Sequence, residues 1–246
     1  MPNLQNQIDK KRNMINCVLM CGGKGSRLNT NSIAKVEKPL LELKNKSLIE
    51  YMIEAIQNSK KNFKMYAAVS KNTVKTKEFL KSRYFNDITL IETTGSGFSN
   101  DYLVVLQFFK GKENRGKDGT QDFVTNKILF LPTDLPLISS KTLDEITDLN
   151  QSSPSIAIVV DKKMFIQNNF VPSTFVTEIS KIDYCYTGIS ILDFHTIAGL
   201  EHVDQIREVP MIMNNLELVY NINTIGDLKK AEKFIGLQNL KSVRND

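Results

Sequence analysis

Apolar and polar positions along this chain change period repeatedly, and each change marks a predicted element. Ile15 to Met20 is a short, mostly apolar run that suits a buried parallel strand better than a helix. Leu40 to Leu43 follows later, with Lys44-Asn45-Lys46 as a turn. From Ser47 the spacing becomes helical. Leu48, Ile49, Met52, Ile53 and Ile56 form a core face, with Ser47 as N-cap and Glu50 three residues on as a capping box. Phe63 to Ser70 reads as a second strand, Thr73 to Tyr84 as an amphipathic helix and Ile88 to Ile91 as a third strand. A helix over Asn100 to Phe109 and a buried strand from Lys127 follow, and then a helix over Thr142 to Leu149 with Ser139 or Ser140 as its cap. Tyr186 to Asp193 and Glu217 to Asn221 are strand-like, and Asp227 to Ile235 is helical with Leu228, Ala231 and Phe234 on one side. Such alternation requires crossover connections, so the expected fold is α/β with a mostly parallel central sheet and helices on both faces. Residues 1–13 are a polar leader without the apolar stretch of a signal peptide, and residues 110–126 are a polar, glycine-dotted loop insertion. One domain over residues 14–236 and a polar, frayed tail over 237–246 complete the expected organisation.

Composition narrows the function classes. With 246 residues and 41% hydrophobic content the chain can bury a full core. Its net charge of +5 suits anionic small molecules, but no basic run with interleaved aromatics marks a nucleic-acid groove. Cys17, Cys21 and Cys185 include no C-x-x-C pair, which speaks against a disulfide framework or a thiolate zinc site and for a reducing cytoplasm. His195 and His202, the only histidines, have no metal-site spacing and are expected in helix or loop roles. No segment approaches the ~20 apolar residues of a membrane span, so a soluble protein is expected.

The first candidate chemistry follows the first strand. In Cys21-Gly22-Gly23-Lys24-Gly25-Ser26-Arg27-Leu28, the glycines let main-chain N–H groups approach a ligand. Lys24, Arg27 and the Ser26 hydroxyl then point to a polyphosphate. This is not a P-loop, because Lys24 lies between glycines, and not a dinucleotide fingerprint, because Leu28 stands at the third glycine position. Glu37-Lys38-Pro39-Leu40 adds a lysine next to a proline. Ligands of parallel sheets gather beyond the carboxyl ends of the strands. There Ser70-Lys71-Asn72 and Thr94-Gly95-Ser96-Gly97 could hold a nucleobase between main-chain groups and the hydroxyls of Ser70 or Thr94; otherwise Gly95 and Gly97 only shape a turn. The strand from Lys127 leads into Asp134, a carboxylate that either binds Mg²⁺ with phosphate oxygens or caps the next helix. Asn223 is either a second metal ligand or a turn residue before a helix capped near Thr224.

The glycine segment followed by Lys38-Pro39 resembles the GGxG-[ST]-R-[LM]…K-P signature of the MobA-like nucleotidyltransferase superfamily, enzymes that make activated sugars, molybdenum-cofactor dinucleotides and cobamides. The Ser70 to Glu78 segment, Ser-x-Asn-Thr-x-Lys-Thr-Lys-Glu, and Asn221-Ile222-Asn223-Thr224 are more particular. With them the chain resembles the archaeal adenosylcobinamide-phosphate guanylyltransferase family over about residues 15–235. The resemblance implies a single-domain Rossmann-like nucleotidyltransferase that transfers GMP from GTP to adenosylcobinamide phosphate in cobalamin biosynthesis, releasing pyrophosphate. Gly22, Gly23, Lys24, Gly25, Ser26 and Arg27 would hold the β and γ phosphates, with Arg27 also steadying the leaving group. Lys38 would meet the α-phosphate, and Asp134 with Asn223 would hold Mg²⁺. Ser70, Thr94, Gly95 and Gly97 fall to the nucleotide and Gly188 and Ser190 to the acceptor. Two departures bear on the acceptor: Ser173 to Tyr186 separates Val171-Pro172 from Thr187-Gly188-Ile189-Ser190, with serine where that family has asparagine, and residues 110–126 are inserted. A molybdenum-cofactor guanylyltransferase, a sugar-phosphate nucleotidyltransferase and a non-catalytic nucleotide-binding regulatory module are the alternatives. A homodimer is left open.

Overall fold

Side chains alternate across a strand, and in β1 (Met14–Met20) both sides are apolar, which places it inside the sheet. In the computed structural model, which describes residues 14–23, 25, 36–115, 127–149, 153–172, 176–194 and 206–242, Ile15, Cys17 and Leu19 face one core and Val18 the other. A 3₁₀ turn over Lys38–Leu40 leads to a small hairpin, β2 (Glu42–Leu43) and β3 (Lys46–Ser47). Lys44 and Asn45 turn it with positive φ of 51° and 64°, the backbone that a two-residue hairpin requires. Then come α1 (Leu48–Gln57), β4 (Asn62–Val69), α2 (Val74–Arg83), β5 (Ile88–Glu92), α3 (Phe98–Arg115), β6 (Lys127–Pro132) and α4 (Ser140–Asp148). β7 (Ser155–Asp161), α5 (Lys162–Gln167), β8 (Val176–Ile179), β9 (Ile182–Asp193), β10 (Val209–Ile212), a 3₁₀ turn (Leu216–Leu218) and α6 (Ile225–Ser242) complete the order.

The sheet runs β10-β7-β9-β6-β1-β4-β5, with β8 also on β9. β1 pairs in parallel with β4 and β6, as do β4 with β5 and β7 with β10; β9 is antiparallel to β6, β7 and β8. One face is covered by α1 and α4 with Ala231 of α6, the other by Val105, Leu106 and Phe109 of α3. The expected α/β architecture is therefore observed, as a mixed and mostly parallel sheet. Among the described residues no helix is long and apolar enough to cross a membrane.

The start of α1 follows its sequence signature. The Glu50 carboxylate accepts from the Ser47 N–H at 2.9 Å and from the Ser47 hydroxyl at 2.6 Å. Burial raises the Glu50 pKa, but the Ser47 hydroxyl and amide and the Arg83 guanidinium outweigh it and leave the group below its ordinary value. A lowered folded-state pKa contributes stability above the unfolded-state pKa of about 4.3 and loses it as pH falls through the folded value. Glu50→Gln is thus expected to cost about 1 kcal/mol at pH 7. Urea unfolding of both proteins at pH 7 and at successively lower pH checks this, with the difference shrinking as the pH falls through the lowered Glu50 pKa.

Several expectations need correction. α3 continues through residue 115, so the front of the 110–126 stretch is helical; 116–126 lie outside the described residues, as do 1–13, His195 and His202. α6 likewise runs to Ser242, into the expected tail. α2 is barely amphipathic, burying only Thr76 and Leu80. Glu217 to Asn221 is no strand. The Asn215 side chain accepts from the Glu217 N–H at 2.9 Å and closes a 3₁₀ turn, and Glu217 accepts from the Ser139 N–H and the Thr142 hydroxyl, both at 2.7 Å, at the start of α4. The Ser173 to Tyr186 stretch contains the β8–β9 hairpin, turned at Ser180 and Lys181 with φ of 52° and 65°.

Candidate active site

Where β1 ends, the chain is held by its neighbour. The Cys21 N–H donates to the Ala68 carbonyl at 2.9 Å, and the Gly22 carbonyl then accepts from the Ser70 hydroxyl at 3.0 Å and the Asn72 amide at 3.3 Å. The glycine turn is therefore clamped by the end of β4. A Cβ on Gly22 would lie 2.6 Å from Asp101 Oδ2, and Gly25 has φ of 59°, so neither position accepts a side chain without strain. Gly23 faces open space. Lys24, Ser26 and Arg27 lie outside the described residues.

Lys38 is positioned by the residue before it. Glu37 takes the N–H groups of Lys75 (2.8 Å) and Thr76 (2.6 Å) and the Thr76 hydroxyl (2.7 Å), anchoring the Lys-Pro segment on the first turn of α2. Pro39 is buried inside the 3₁₀ turn and fixes its φ. Lys38 Nζ then donates to Asp134 Oδ2 at 2.6 Å and to Asn223 Oδ1 at 3.0 Å. Both charged side chains are 17% exposed. The Ile222 N–H donates to the Asp134 carbonyl at 2.8 Å, and the Asn223 amide donates to Asn221 Oδ1 at 2.7 Å. Asp227 accepts from the N–H groups of Asn223 and Thr224 at the start of α6. Asn223 thus does both things its position allows: its backbone belongs to the helix start, and its side chain meets Lys38. Asp134 is not the cap of α4, because the Ser139 side chain takes that role by accepting from the Thr142 N–H. Asp134 Oδ1 is buried without a hydrogen-bond partner among the described residues.

These groups line one cavity of about 300 Å³ together with Gly22, Gly23, Gly25, Phe98 and Asp101. The Lys38 ammonium and the main-chain donors of the glycine turn suit phosphates, and the Asp134 carboxylate beside them is a hard oxygen donor. Among the described residues no group of three or more His, Cys, Asp or Glu could hold a metal by itself. Burial pushes the Cys17 and Cys21 thiols well above the ordinary thiol range, so neither is a nucleophile.

Other predicted residues fall nearby without lining the cavity. The buried Ser70 hydroxyl donates to Gly22 and accepts from the Asn72 N–H, so both its functions are used within the fold. Thr94 donates to Asp101 Oδ1 at 3.3 Å, and the Gly95 N–H donates to the same oxygen at 2.8 Å. A Cβ on Gly95, at φ of 67°, would lie 2.6 Å from the Ser70 hydroxyl oxygen; Gly97, at φ of 125°, is exposed. Gly188 and Ser190 lie on β9, Gly188 against Pro132 and Ser190 paired with Phe130, and the buried Ser190 hydroxyl sits beside Tyr102 and Glu208. Glu37, Phe98 and Asp101 were not singled out by sequence reasoning. An acid and an aromatic in the first turn of a helix read as ordinary helix start and core, and only the fold turns them toward the glycines.

The Gly22 contact yields a prediction. Gly22→Ala drives Asp101 out of place and is expected to weaken nucleotide binding at least 10-fold, with thermal unfolding within a few degrees of the parent; calorimetric titration with nucleotide measures it.

Comparison with known proteins agrees with this geometry. The MobA-like NTP transferase domain model matches residues 17–197. The chain is 28% identical over 235 residues to an adenosylcobinamide-phosphate guanylyltransferase of Methanocaldococcus jannaschii, covering 90% of this chain and 97% of that protein. It is 24% identical over 230 residues to a 2-C-methyl-D-erythritol 4-phosphate cytidylyltransferase of Caldicellulosiruptor bescii, covering 90% and 98%. In fold it is similar to a 4-diphosphocytidyl-2C-methyl-D-erythritol synthase of Anaerococcus prevotii, with TM-score 0.59 and 10% identity over 91% of this chain and 98% of that one. The chain belongs to the MobA-like NTP transferase domain family and is a nucleotidyltransferase.

Proposed function

We propose that this nucleotidyltransferase transfers GMP from GTP to adenosylcobinamide phosphate, giving adenosylcobinamide-GDP and pyrophosphate. The observation that carries the reading is the convergence of Lys38, Asp134 and Asn223 beside the glycine turn, with Lys38 against Gly25; the relative from Methanocaldococcus jannaschii supports the choice of donor and acceptor. An oxygen of the acceptor phosphate attacks the α-phosphorus of GTP, and the bond to the β-phosphate oxygen breaks with its electron pair leaving on pyrophosphate. A phosphate monoester is already largely ionised near neutral pH, so no general base is required. What the protein must supply is alignment and positive charge where negative charge builds.

Lys38 supplies that charge at the α-phosphate, swinging from Asp134 and Asn223 to the ligand. Main-chain N–H groups of the glycine turn, with Lys24, Ser26 and Arg27, hold the departing phosphates. Asp134 fits Mg²⁺: it is a hard oxygen donor whose Oδ1 has no partner among the described residues, and Asn223 lies on the same Lys38 ammonium. The remaining ligands would be phosphate oxygens and water. Bound there, Mg²⁺ supplies further charge against the developing phosphoryl negative charge. Gly188 and Ser190, on the strand next to β6, are assigned to the acceptor side.

Pyrophosphate release in the presence of Mg²⁺ tests the reading, with adenosylcobinamide phosphate, molybdopterin and a sugar phosphate offered as acceptors. Release that needs GTP and the cobinamide supports it. Release with molybdopterin or the sugar phosphate instead overturns the acceptor and keeps the site, and GTP binding with no release under any acceptor overturns catalysis.

A further inference from the structure

We propose that Asp101 reads the nucleobase, its Oδ2 accepting from the paired N–H donors of guanine, with Phe98 as the flat surface beside it. This rests on the reading of GTP as donor. Asp101 is 4% exposed and lines the cavity that also holds Lys38 and the glycine turn. Its two oxygens are differently employed. Oδ1 takes the Gly95 N–H and the Thr94 hydroxyl and fixes the loop after β5. Oδ2 accepts no hydrogen bond from the described residues and stands over Gly22, so close that a Cβ there would meet it at 2.6 Å.

A carboxylate in a phosphate-binding cavity repels phosphate and calls for a cation or a hydrogen-bond donor; with Mg²⁺ assigned to Asp134, the part of the ligand against Asp101 is a donor. In a nucleotide that leaves the ribose hydroxyls or the base edge. Phe98 decides for the base. It sits three residues earlier, on the same helix face, lines the same cavity and is 51% exposed, which is a large apolar area for a side chain at the mouth of a polar site. A planar ring ligand matches that face and a ribose does not. Among the common bases, guanine alone sets two adjacent donors, N1–H and the N2 amino group, toward a single acceptor. Adenine and cytosine present an acceptor beside their amino group, and uracil flanks its one donor with carbonyls. Gly22, the loop after β5 and the start of α3 would then act together as a base-selecting corner, with Gly23 and Gly25 left to the phosphates.

Asp101→Asn separates this role from the loop-fixing one, because the amide oxygen keeps the Oδ1 contacts while an N–H₂ donor replaces Oδ2. Calorimetric titration in Mg²⁺ with GTP, xanthosine triphosphate, inosine triphosphate, CTP and 2′-deoxy-GTP reads the outcome. In the parent protein GTP is expected to bind most tightly, inosine triphosphate about 10-fold more weakly and 2′-deoxy-GTP within about 3-fold. In the variant GTP is expected to weaken by 10- to 100-fold and xanthosine triphosphate, which offers a carbonyl in place of the amino group, to gain on it by at least as much. Parent preference for GTP with no change in the variant overturns the role of Asp101 alone. Loss on 2′-deoxy-GTP without loss on inosine triphosphate assigns the carboxylate to ribose and also overturns it. Parent preference for CTP or another nucleotide overturns the GTP reading and this inference with it. The inosine and deoxy arms use the parent protein, so the choice between base and ribose is read independently of the variant.

Discussion

Lys38→Ala is expected to lower the rate of nucleotidyl transfer by about 10²–10³-fold while the Kd for GTP changes by only a few-fold. The reason is where the charge is needed. In the free protein Lys38 is satisfied by Asp134 at 2.6 Å and Asn223 at 3.0 Å, so its ammonium is held at the centre of the site before any ligand arrives. On the proposed reading, ground-state GTP has the glycine turn and other cations to bind its phosphates, whereas the negative charge around the α-phosphorus grows only as the bond to pyrophosphate breaks. An interaction made mainly at that moment shows in kcat and not in binding. Single-turnover rates with saturating GTP, set beside calorimetric Kd values, distinguish the two; an effect confined to affinity contradicts the assignment. Removal of Lys38 also leaves Asp134 without its cation in a setting only 17% exposed, so thermal unfolding must be recorded in parallel.

Asp134→Asn is expected to cost at least 10²-fold in turnover and to shift the Mg²⁺ dependence to concentrations about 10-fold higher or more. Asparagine is nearly isosteric and keeps a carbonyl oxygen for Lys38, so the fold and the position of the lysine are retained. What it loses is the negative charge and the oxygen lone pairs at Oδ1, which the fold leaves unpartnered. Direct titration with Mn²⁺, followed by its relaxation signal in the presence of a non-hydrolysable nucleotide, reads the site without reference to catalysis. Unchanged metal affinity together with unchanged turnover assigns the orphaned oxygen to some other partner.

Local signals made much of this molecule legible in advance. β1, the Ser47–Glu50 cap and the strand leading to Asp134 each depend on residues close in sequence, and each stands as read. Lys38, Asp134 and Asn223 were picked separately, on strand ends and next to a proline, and the fold brings them together. Glu37 and Asp101 could not be recognised the same way. Glu37 acts on the α2 N-terminus across 39 positions of chain, and Asp101 acts on Gly22, so their roles exist only in tertiary contact. β7 was missed although Ile156 to Val160 is a continuous apolar run of strand length. β10 carries Pro210, which argues against a strand unless the strand is an edge, and β10 is an edge of the sheet. The 3₁₀ turn at Leu216–Leu218 has apolar residues that look strand-like, but the Asn215 side chain captures the backbone first.

The most direct test of the central claim follows the phosphorus atoms. The protein, Mg²⁺ and adenosylcobinamide phosphate are incubated with GTP labelled at the α-phosphate and, separately, at the γ-phosphate, and the products are separated. Label from the α-position in the cobinamide product and label from the γ-position in pyrophosphate is the predicted result. Recovery of γ-label in the cobinamide product, or in inorganic phosphate with no labelled cobinamide, contradicts attack at the α-phosphorus and with it the roles given to Lys38 and Asp134.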